Sequence, residues 1–396
     1  MMKKCLLPKI RFPEFVKDGE WFCSSLEEVI SMVNPPKKIQ TGDYQSKGKF
    51  PIVDQSQKFV SGYSDDASAL INEVGESLIV FGDHTCILKK VAFPFIQGAD
   101  GIKIFKSKNE NFLDSLYLYQ YLLYNSIESK EYKRHFSELK EKKITFPKSL
   151  LEQKKIANLL SSVDAKVYAT QEKLEELREQ KIGMLQKLFP RNGKNIPDYR
   201  FSDFKNDREW QNGCLGDFAS FFKGKGISKS EISDDGNIPC IRYGELYTRY
   251  HEMVKDVKSH TVLSPENLFF SQKNDVIIPA TGETAEDIST ASYLPLDGIA
   301  IGGDINVVRS NCDGLFLAYY LSHIKKNDIA KIAHGFAIVH LHAEKLSKLK
   351  VQIPSLPEQK KIAQAILSVD ELISLYMEKK DQLIQYKKGL VQRLFA

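Results

Sequence analysis

Four stretches of this sequence hold residue types that could do chemistry, and each lacks a part that its chemistry needs. Asn34-Pro35-Pro36-Lys37 begins like a base-flipping methyl-transfer site. Its lysine stands where an aromatic ring would stack on the extruded base, and no glycine-rich cofactor loop follows a strand upstream. Asp198, Asp203 and Lys205 are residue types of a metal-dependent nuclease core, but they are spaced too closely. Gly224-Lys225-Gly226 falls short of the phosphate-loop spacing. His334, His340 and His342 form the densest histidine group, and His340-x-His342 would suit one strand face as metal ligands. No cysteine or acid stands beside them at a metal-site spacing, so structural or DNA-contact roles suit them better. The expectation is a protein with no catalytic residues, no metal site and no cofactor of its own.

What remains is a chemistry of contact. In the first half of the chain Lys37, Lys38, Lys47, Lys49 and Lys58 are grouped with Gln55 and Gln57, and His84 and Thr85 follow an expected strand. In the second half come Lys223, Lys225 and Lys229, then Arg242, Tyr243 and Arg249, then Thr281, Glu283 and Thr284, with His334 further on. Loop lysines and arginines suit phosphate oxygens, while Gln, Glu and Arg can read base edges in the major groove. A single surface lysine says little; the grouping makes these the candidate DNA-binding residues.

The elements that must position them come from two internal repeats. Glu152-Gln153-Lys154-Lys155-Ile156-Ala157 recurs 206 residues later as Glu358-Gln359-Lys360-Lys361-Ile362-Ala363. The same offset carries Asp164 onto Asp370, Lys181 onto Lys387 and Leu188-Phe189 onto Leu394-Phe395. Apolar residues follow at alternating steps of four and three: Ile156, Leu160, Val163, Val167, Leu174, Leu177, Met184 and Leu188, then Ile362, Ile366, Val369, Ile373, Tyr376, Leu383, Leu390 and Leu394. That is the seam of a coiled coil. Each copy opens with Ser-x-x-Glu, at Ser149 and Glu152 and at Ser355 and Glu358, which predicts a capping box. Two helical rods of roughly 57 Å are expected, each burying its seam, with the other copy the nearest candidate. Lys181 and Lys387 occupy the matching seam position, either snorkelling at its edge or setting register.

A second repeat, offset by 189, echoes Arg11-Phe12 and Trp21 in Arg200-Phe201 and Trp210. These are the only two tryptophans, and each is expected to anchor the core of a globular domain. The chain is therefore a tandem duplication: a globular part from about Trp21 to Phe146 and a long helix, then a part from about Trp210 to Val351 and a second helix. Phe50–Val53 and Leu78–Phe81 are expected strands, matched by 238–242 and 275–278, and turns are expected at 98–101 and 302–304. An aromatic helix over 112–124, with Leu116, Tyr119 and Leu123 on one face, is matched by 315–321. Residues 190–195 read as a polar linker. The loops between these landmarks diverge almost completely, as in two recognition modules with different targets.

Composition is permissive. A net charge of +5 from 56 basic and 51 acidic residues does not argue for nucleic acid, so local clustering must. Six cysteines without a C-x-x-C pair read as reduced thiols in a cytoplasm. No signal-length apolar start and no membrane-spanning stretch is seen.

Across its whole length the chain resembles the DNA specificity subunits of Type I restriction–modification systems. The resemblance is carried by the paired helix starts at Glu152-Gln153 and Glu358-Gln359, by the domain starts Arg11-Phe12 to Trp21 and Arg200-Phe201 to Trp210, and by Phe81-Gly82-Asp83-His84-Thr85 and Gly302-Gly303-Asp304-Ile305. The first helix start departs slightly, with Leu151 where the second has Pro357. The resemblance implies an α+β fold. Two α/β target recognition domains, 1–147 and 193–353, are separated by two long antiparallel coiled-coil helices, 148–192 and 354–396, in a pseudo-two-fold tandem duplication. It implies a non-catalytic subunit that binds double-stranded DNA, each domain reading one half of a bipartite target. Two methyltransferase subunits would dock on the helices and a motor–nuclease subunit would join for restriction; S-adenosylmethionine, ATP and Mg would belong to those partners. Helix pairing and docking would fall to Glu152, Gln153, Ile156, Leu160, Val163, Leu177, Glu358, Gln359, Ile362, Ile366, Val369 and Leu383. The rods would act as a ruler, since one turn of DNA is about 34 Å. The rival reading is a coiled-coil adaptor whose globular ends bind proteins. DNA binding through several phosphates weakens log-linearly with salt, and apolar docking does not.

Overall fold

The computed structural model describes residues 7–73, 77–99, 101–125, 127, 134–191, 194–335 and 338–395. Asp100 of the expected turn and Asn192 and Gly193 of the expected linker lie outside the described residues. The chain divides into two compact units, Met1–Glu172 with Glu378–Ala396, and Lys173–Met377. Each long helix gives its first part to one unit and its last part to the other.

The units share one plan. In the first, Phe22–Ser25 pairs antiparallel with Lys143–Phe146, so the domain's start is stitched to the residues that lead into the long helix. An antiparallel sheet runs in the order Ile30–Met32, Ile102–Ser107, Leu78–Gly82, Leu88–Val91. Leu78–Gly82 is buried at every position, as expected of a central strand covered on both faces. A mixed sheet follows in the order Lys38–Ile39, Phe95–Gly98, Phe50–Val53, Gly62–Ser64, with Leu70–Ile71 also on Phe95–Gly98. In the second unit Gln211–Cys214 pairs with Lys350–Ile353. The antiparallel sheet runs Ala219–Lys223, Ile305–Ser310, Val276–Pro279, Ser292–Tyr293, and the mixed sheet runs Ser259–Thr261, Ile238–Ile241, Ala300–Ile301. Its extra length holds a helix, Tyr243–Thr248.

The aromatic helix of the first unit is Ser115–Tyr124, capped by Asp114, whose carboxylate accepts from the Tyr117 amide. Its buried face is not the expected one. Tyr117, Leu118, Tyr121 and Leu122 are buried, while Leu116, Tyr119 and Leu123 are half-buried. The helix is wrapped on more than one side, so no single stripe marks its inner face. The equivalent helix, Gly314–Tyr319, is capped by Asp313 and continues as a π turn, Tyr320–Ile324. Trp21 and Trp210 are each 2% exposed. Trp21 meets Tyr117 edge-on, and Trp210 meets Phe189 and Phe316.

The long helices are Leu150–Leu188 and Leu356–Leu394, each of 39 residues. In the first unit Ile156, Ala157 and Leu160 share a core with Val391, Leu394 and Phe395. In the second, Leu185, Leu188 and Phe189 share one with Ile362, Ala363 and Ile366. Within each unit the start of one helix meets the end of the other, which is antiparallel pairing. Phe395 packs on Tyr117 and Tyr121 at 5.7 and 5.2 Å, and its repeat mate Phe189 packs on Tyr320 at 5.6 Å.

The seam lysines are ion-paired. In the first unit Lys387 Nζ lies 2.6 Å from Asp164; in the second, Lys181 Nζ lies 2.8 Å from Asp370. Each pair is the repeat image of the other. Each aspartate has a second duty to the aromatic helix: Gln120 donates to Asp164 at 2.9 Å, and the Tyr319 hydroxyl donates to Asp370 at 2.6 Å. Lysine at the seam therefore sets register between the helices and ties that register to the domain.

The capping boxes do not close. Glu152 takes its amide to the Ser149 hydroxyl at 3.4 Å. Its carboxylate, however, is forked by Arg11, with both bonds at 2.7 Å. Glu358 is forked by Arg200 at 2.8 and 2.7 Å. A charge-assisted bidentate bond outcompetes a bond to one backbone amide. The neighbouring glutamines extend the clamp. Gln153 accepts from the Asp114 amide at 2.8 Å and donates to Pro147 at 2.8 Å, while Gln359 accepts from Asp313 at 2.8 Å and donates to Pro354 at 2.9 Å. Glu152, Gln153, Glu358 and Gln359 are 0–3% exposed. They were expected on the pairing or docking surface; instead they bolt each helix start to its own domain. Ile156, Leu160, Val163, Leu177, Ile362, Ile366 and Val369 are buried, and Leu383 is half-buried.

Candidate nucleic-acid interface

In the first unit the candidates separate along one strand. Lys47 and Lys49 precede Phe50–Val53, whereas Gln55, Gln57 and Lys58 follow it, so the two sets stand at opposite ends. Lys37 reaches Asp66 at 2.7 Å. That hydrogen bond, followed by one from Ser68, holds the Asp66 carboxyl down at about 2. Lys38 is exposed on the edge strand Lys38–Ile39, level with Gln97. Beyond the other end three candidates converge. The Thr85 hydroxyl donates to the Gln55 carbonyl at 2.9 Å, and the His84 amide lies 3.4 Å from Gln55 Oε1. Gly82 and Gly101 make this approach possible: a Cβ on Gly82 would stand 2.3 Å from Thr85 Oγ1, and one on Gly101 would stand 2.9 Å from Gln55 Nε2. Gly101 also has a positive φ of 82°, which favours glycine. Gln57 and Lys58 are exposed beside this cluster.

In the second unit most candidates lie side by side. Gly224-Lys225-Gly226 runs against Gly302-Gly303, with Lys225 bridged to Gly302. A Cβ on Gly224 would stand 2.1 Å from the Gly302 carbonyl oxygen, so the glycines serve backbone contact. Gly302 in turn donates to the Ile241 carbonyl and abuts Arg242. Lys223, Lys225 and Lys229 are exposed, with Lys225 Nζ donating to the Glu266 carbonyl at 3.2 Å. Arg242 and Tyr243 open the short helix Tyr243–Thr248, and Arg249 follows it, 3.3 Å from Glu245. Tyr247 on that helix is raised above its usual pKa by burial first, then by Tyr243, Asp287 and Glu283, which puts the helix beside the 281–287 segment. Thr281 pairs with His340, their side chains 3.4 Å apart. His334 bridges to His340, and its ring lies 5.1 Å from that of His342. Glu283 and Thr284 are exposed, with the Thr284 hydroxyl accepting from the Asp287 amide at 3.1 Å.

The stretches that suggested catalysis are occupied otherwise. Asp198 pairs with Arg191 at 2.9 Å and with Lys194 at 2.8 Å, and Asp203 lies 3.7 Å from Lys361. Among the described residues no group of three or more His, Cys, Asp or Glu side chains could hold a metal ion. Also among them, Cys23, Cys86, Cys214, Cys240 and Cys312 are free, and no helix is long and apolar enough to cross a membrane.

Sequence reasoning missed two sets of residues. The arginines of the domain starts, Arg11 and Arg200, were noted as repeat markers but not joined to Glu152 and Glu358; their shared pattern of duplication was the available signal. Lys89, buried under the loop that follows Phe50–Val53, left no signal, because Leu-Lys-Lys-Val reads as an ordinary strand.

A family model described as Type I restriction modification DNA specificity domain matches residues 19–179 and 207–385. The Escherichia coli type I restriction enzyme EcoR124I/EcoR124II specificity subunit is 22% identical over 394 residues, spanning 94% of this chain and 92% of that protein. Two Methanocaldococcus jannaschii proteins, one of them the type I restriction enzyme MjaVIII specificity subunit, are 26% and 24% identical over 269 and 265 residues. Those two matches cover 66% and 64% of this chain but only 60% and 61% of the relatives. The crystal structure of a Type-I restriction-modification system S subunit from M. genitalium superposes with a TM-score of 0.68 at 16% identity, over 99% of both chains, and so shares the fold. This chain, with its α+β domains and duplicated long helices, belongs to the Type I restriction modification DNA specificity family and carries that domain twice.

Proposed function

We propose that the chain is the non-catalytic, address-giving subunit of a Type I restriction–modification complex. Each globular domain reads one half of a bipartite double-stranded DNA target. The paired helices fix the spacer and carry two methyltransferase subunits, and a motor–nuclease subunit joins for restriction. S-adenosylmethionine, ATP and Mg2+ are assigned to those partners, and no residue here is given a catalytic role. One observation carries this reading: the same Arg–Glu and Gln clamp mounts each domain on its own helix, while the polar loops differ between the domains. A rigid common mount with divergent loops is what independent readers of two half-sites require.

Independence is testable. Replacing residues 193–353 with the corresponding domain of a homologue of different specificity is expected to change one half-site of the methylated motif and leave the other half and the spacer as they were. The motif is read by sequencing methylated adenine in cells that hold the partner subunits. A change in both halves would sink modular readout.

A further inference from the structure

The loop after Phe50–Val53 carries Gln55, Gln57 and Lys58, and it sits over a buried cation. Lys89, on strand Leu88–Val91, is 4% exposed. Its ammonium donates to the carbonyl of Asp54 at 2.7 Å and to that of Lys58 at 2.5 Å, with the Asp54 carboxylate 4.0 Å away. Lysine is almost never this deep unless paired. Burial pulls its pKa down, and Asp54 opposes that. A strand needs no ammonium here, since an apolar side chain of similar length would fill the space without desolvating a charge. The two acceptors lie at the two ends of the loop, so one cation fixes its start and its finish together.

Other contacts close the same loop. Asp54 accepts from the Ser56 amide at 2.9 Å and from the Ser61 hydroxyl, and the hydroxyls of Ser56 and Ser61 are 3.0 Å apart. Phe59, leaving the loop, meets Phe93, just beyond the lysine's strand, at 6.0 Å. Gln55 is held against Gly101, His84 and Thr85 as described above. Gln57 and Lys58 are left at the exposed crest.

We propose that Lys89 is a positioning residue for specificity: it holds Asp54–Lys58 in the shape in which Gln57 and Lys58 meet one half of the DNA target. This rests on the reading that the chain addresses DNA, and it adds which buried group sets the address of the first unit. The second unit uses no such cation at the matching place. There the strand is Ser292–Tyr293, the neutral Ser292 hydroxyl donates to the His251 carbonyl at 2.6 Å, and Ile238–Ile241 leads into a helix. The effect of Lys89 is therefore confined to one half-site.

The test compares wild type, Lys89→Met and Ser61→Ala as full chains with their partner subunits, by sequencing methylated adenine and by thermal melting. Lys89→Met is expected to lower discrimination at one or more positions of the first domain's half-site about tenfold, within the usual range for one mismatched pair. The other half-site should stay unchanged. The first domain's half is the one that domain replacement leaves constant. Ser61→Ala, which removes one hydrogen bond to the Asp54 carboxylate and leaves both Lys89 and Asp54 in place, is expected to relax the same half-site by less, and it keeps the test open if Lys89→Met does not fold. Uniform loss of methylation without relaxed sequence in a folded variant would make Lys89 merely structural and overturn the proposal. So would an unchanged half-site in both variants. If wild type yields no bipartite motif, the DNA-reading proposal itself fails, and this inference falls with it.

Discussion

Replacing Glu358 with alanine is expected to destabilise the unit Lys173–Met377 by about 3 kcal/mol. The carboxylate is 1% exposed and takes both bonds of the Arg200 fork. Removing it leaves Arg200, itself 9% exposed, without the carboxylate that forks it and with only the weaker influence of Asp207. Arg200 keeps its bonds to the carbonyls of Asp207 and Arg208 at 2.9 and 3.1 Å, which holds the cost toward the lower end of the 3–5 kcal/mol typical of a broken buried pair. The double variant Arg200→Met with Glu358→Leu is expected to lose less than either single change, because it removes both charges from the interior. The two tryptophans make this measurable, one in each unit. In a Trp21→Phe background, Trp210 fluorescence during urea unfolding reports the second unit; in Trp210→Phe, Trp21 reports the first. The Trp210 transition should move to lower urea by much more than the Trp21 transition. A loss below about 1 kcal/mol would class the pair with surface ion pairs and remove the clamp from the account.

Phe189→Ala is the second large effect, expected at about 3–5 kcal/mol for a buried ring that leaves a cavity. Phe189 is 1% exposed and sits among Trp210, Phe316 and Tyr320, with centroids at 6.1, 5.5 and 5.6 Å. It is where the end of the first long helix enters the second unit's core. The same substitution at its repeat mate Phe395 is expected to cost less, because one of that ring's neighbours, Tyr124 at 5.9 Å, is itself exposed, so the space left opens toward solvent rather than into a closed core. Urea unfolding with the same single-tryptophan variants reads both. Equal costs, or a greater cost at Phe395, would mean that the two helix ends are not held as the rings suggest.

The long helices were legible because a seam at steps of four and three is a local signal repeated over many turns, and duplication doubled it. The tryptophans were legible for a related reason: rare residues at equivalent places in two copies point to one core position. The clamp was not. Ser-x-x-Glu has two possible partners for its glutamate, an amide three residues back and an arginine 141 or 158 residues away in sequence, and a local rule sees only the first. The ion pairs Lys181–Asp370 and Lys387–Asp164 lay in the repeat itself, but joining them requires knowing that the helix ends meet. The contact loops were legible only as composition. Strand register decides that Lys49 and Gln55, six residues apart, stand at opposite ends of one strand. Burial of Lys89 is a property of the assembled loop and cannot be read from Leu-Lys-Lys-Val.

The central claim is that this chain gives a restriction–modification complex its address. The most direct measurement is long-read sequencing of methylated adenine in source cells with and without the gene. The account predicts that one bipartite motif, two short specified halves around an unread spacer, loses its methylation on deletion and regains it when the gene is restored. A methylation pattern that is the same in both cells, with methyltransferase partners shown to be expressed, would contradict it.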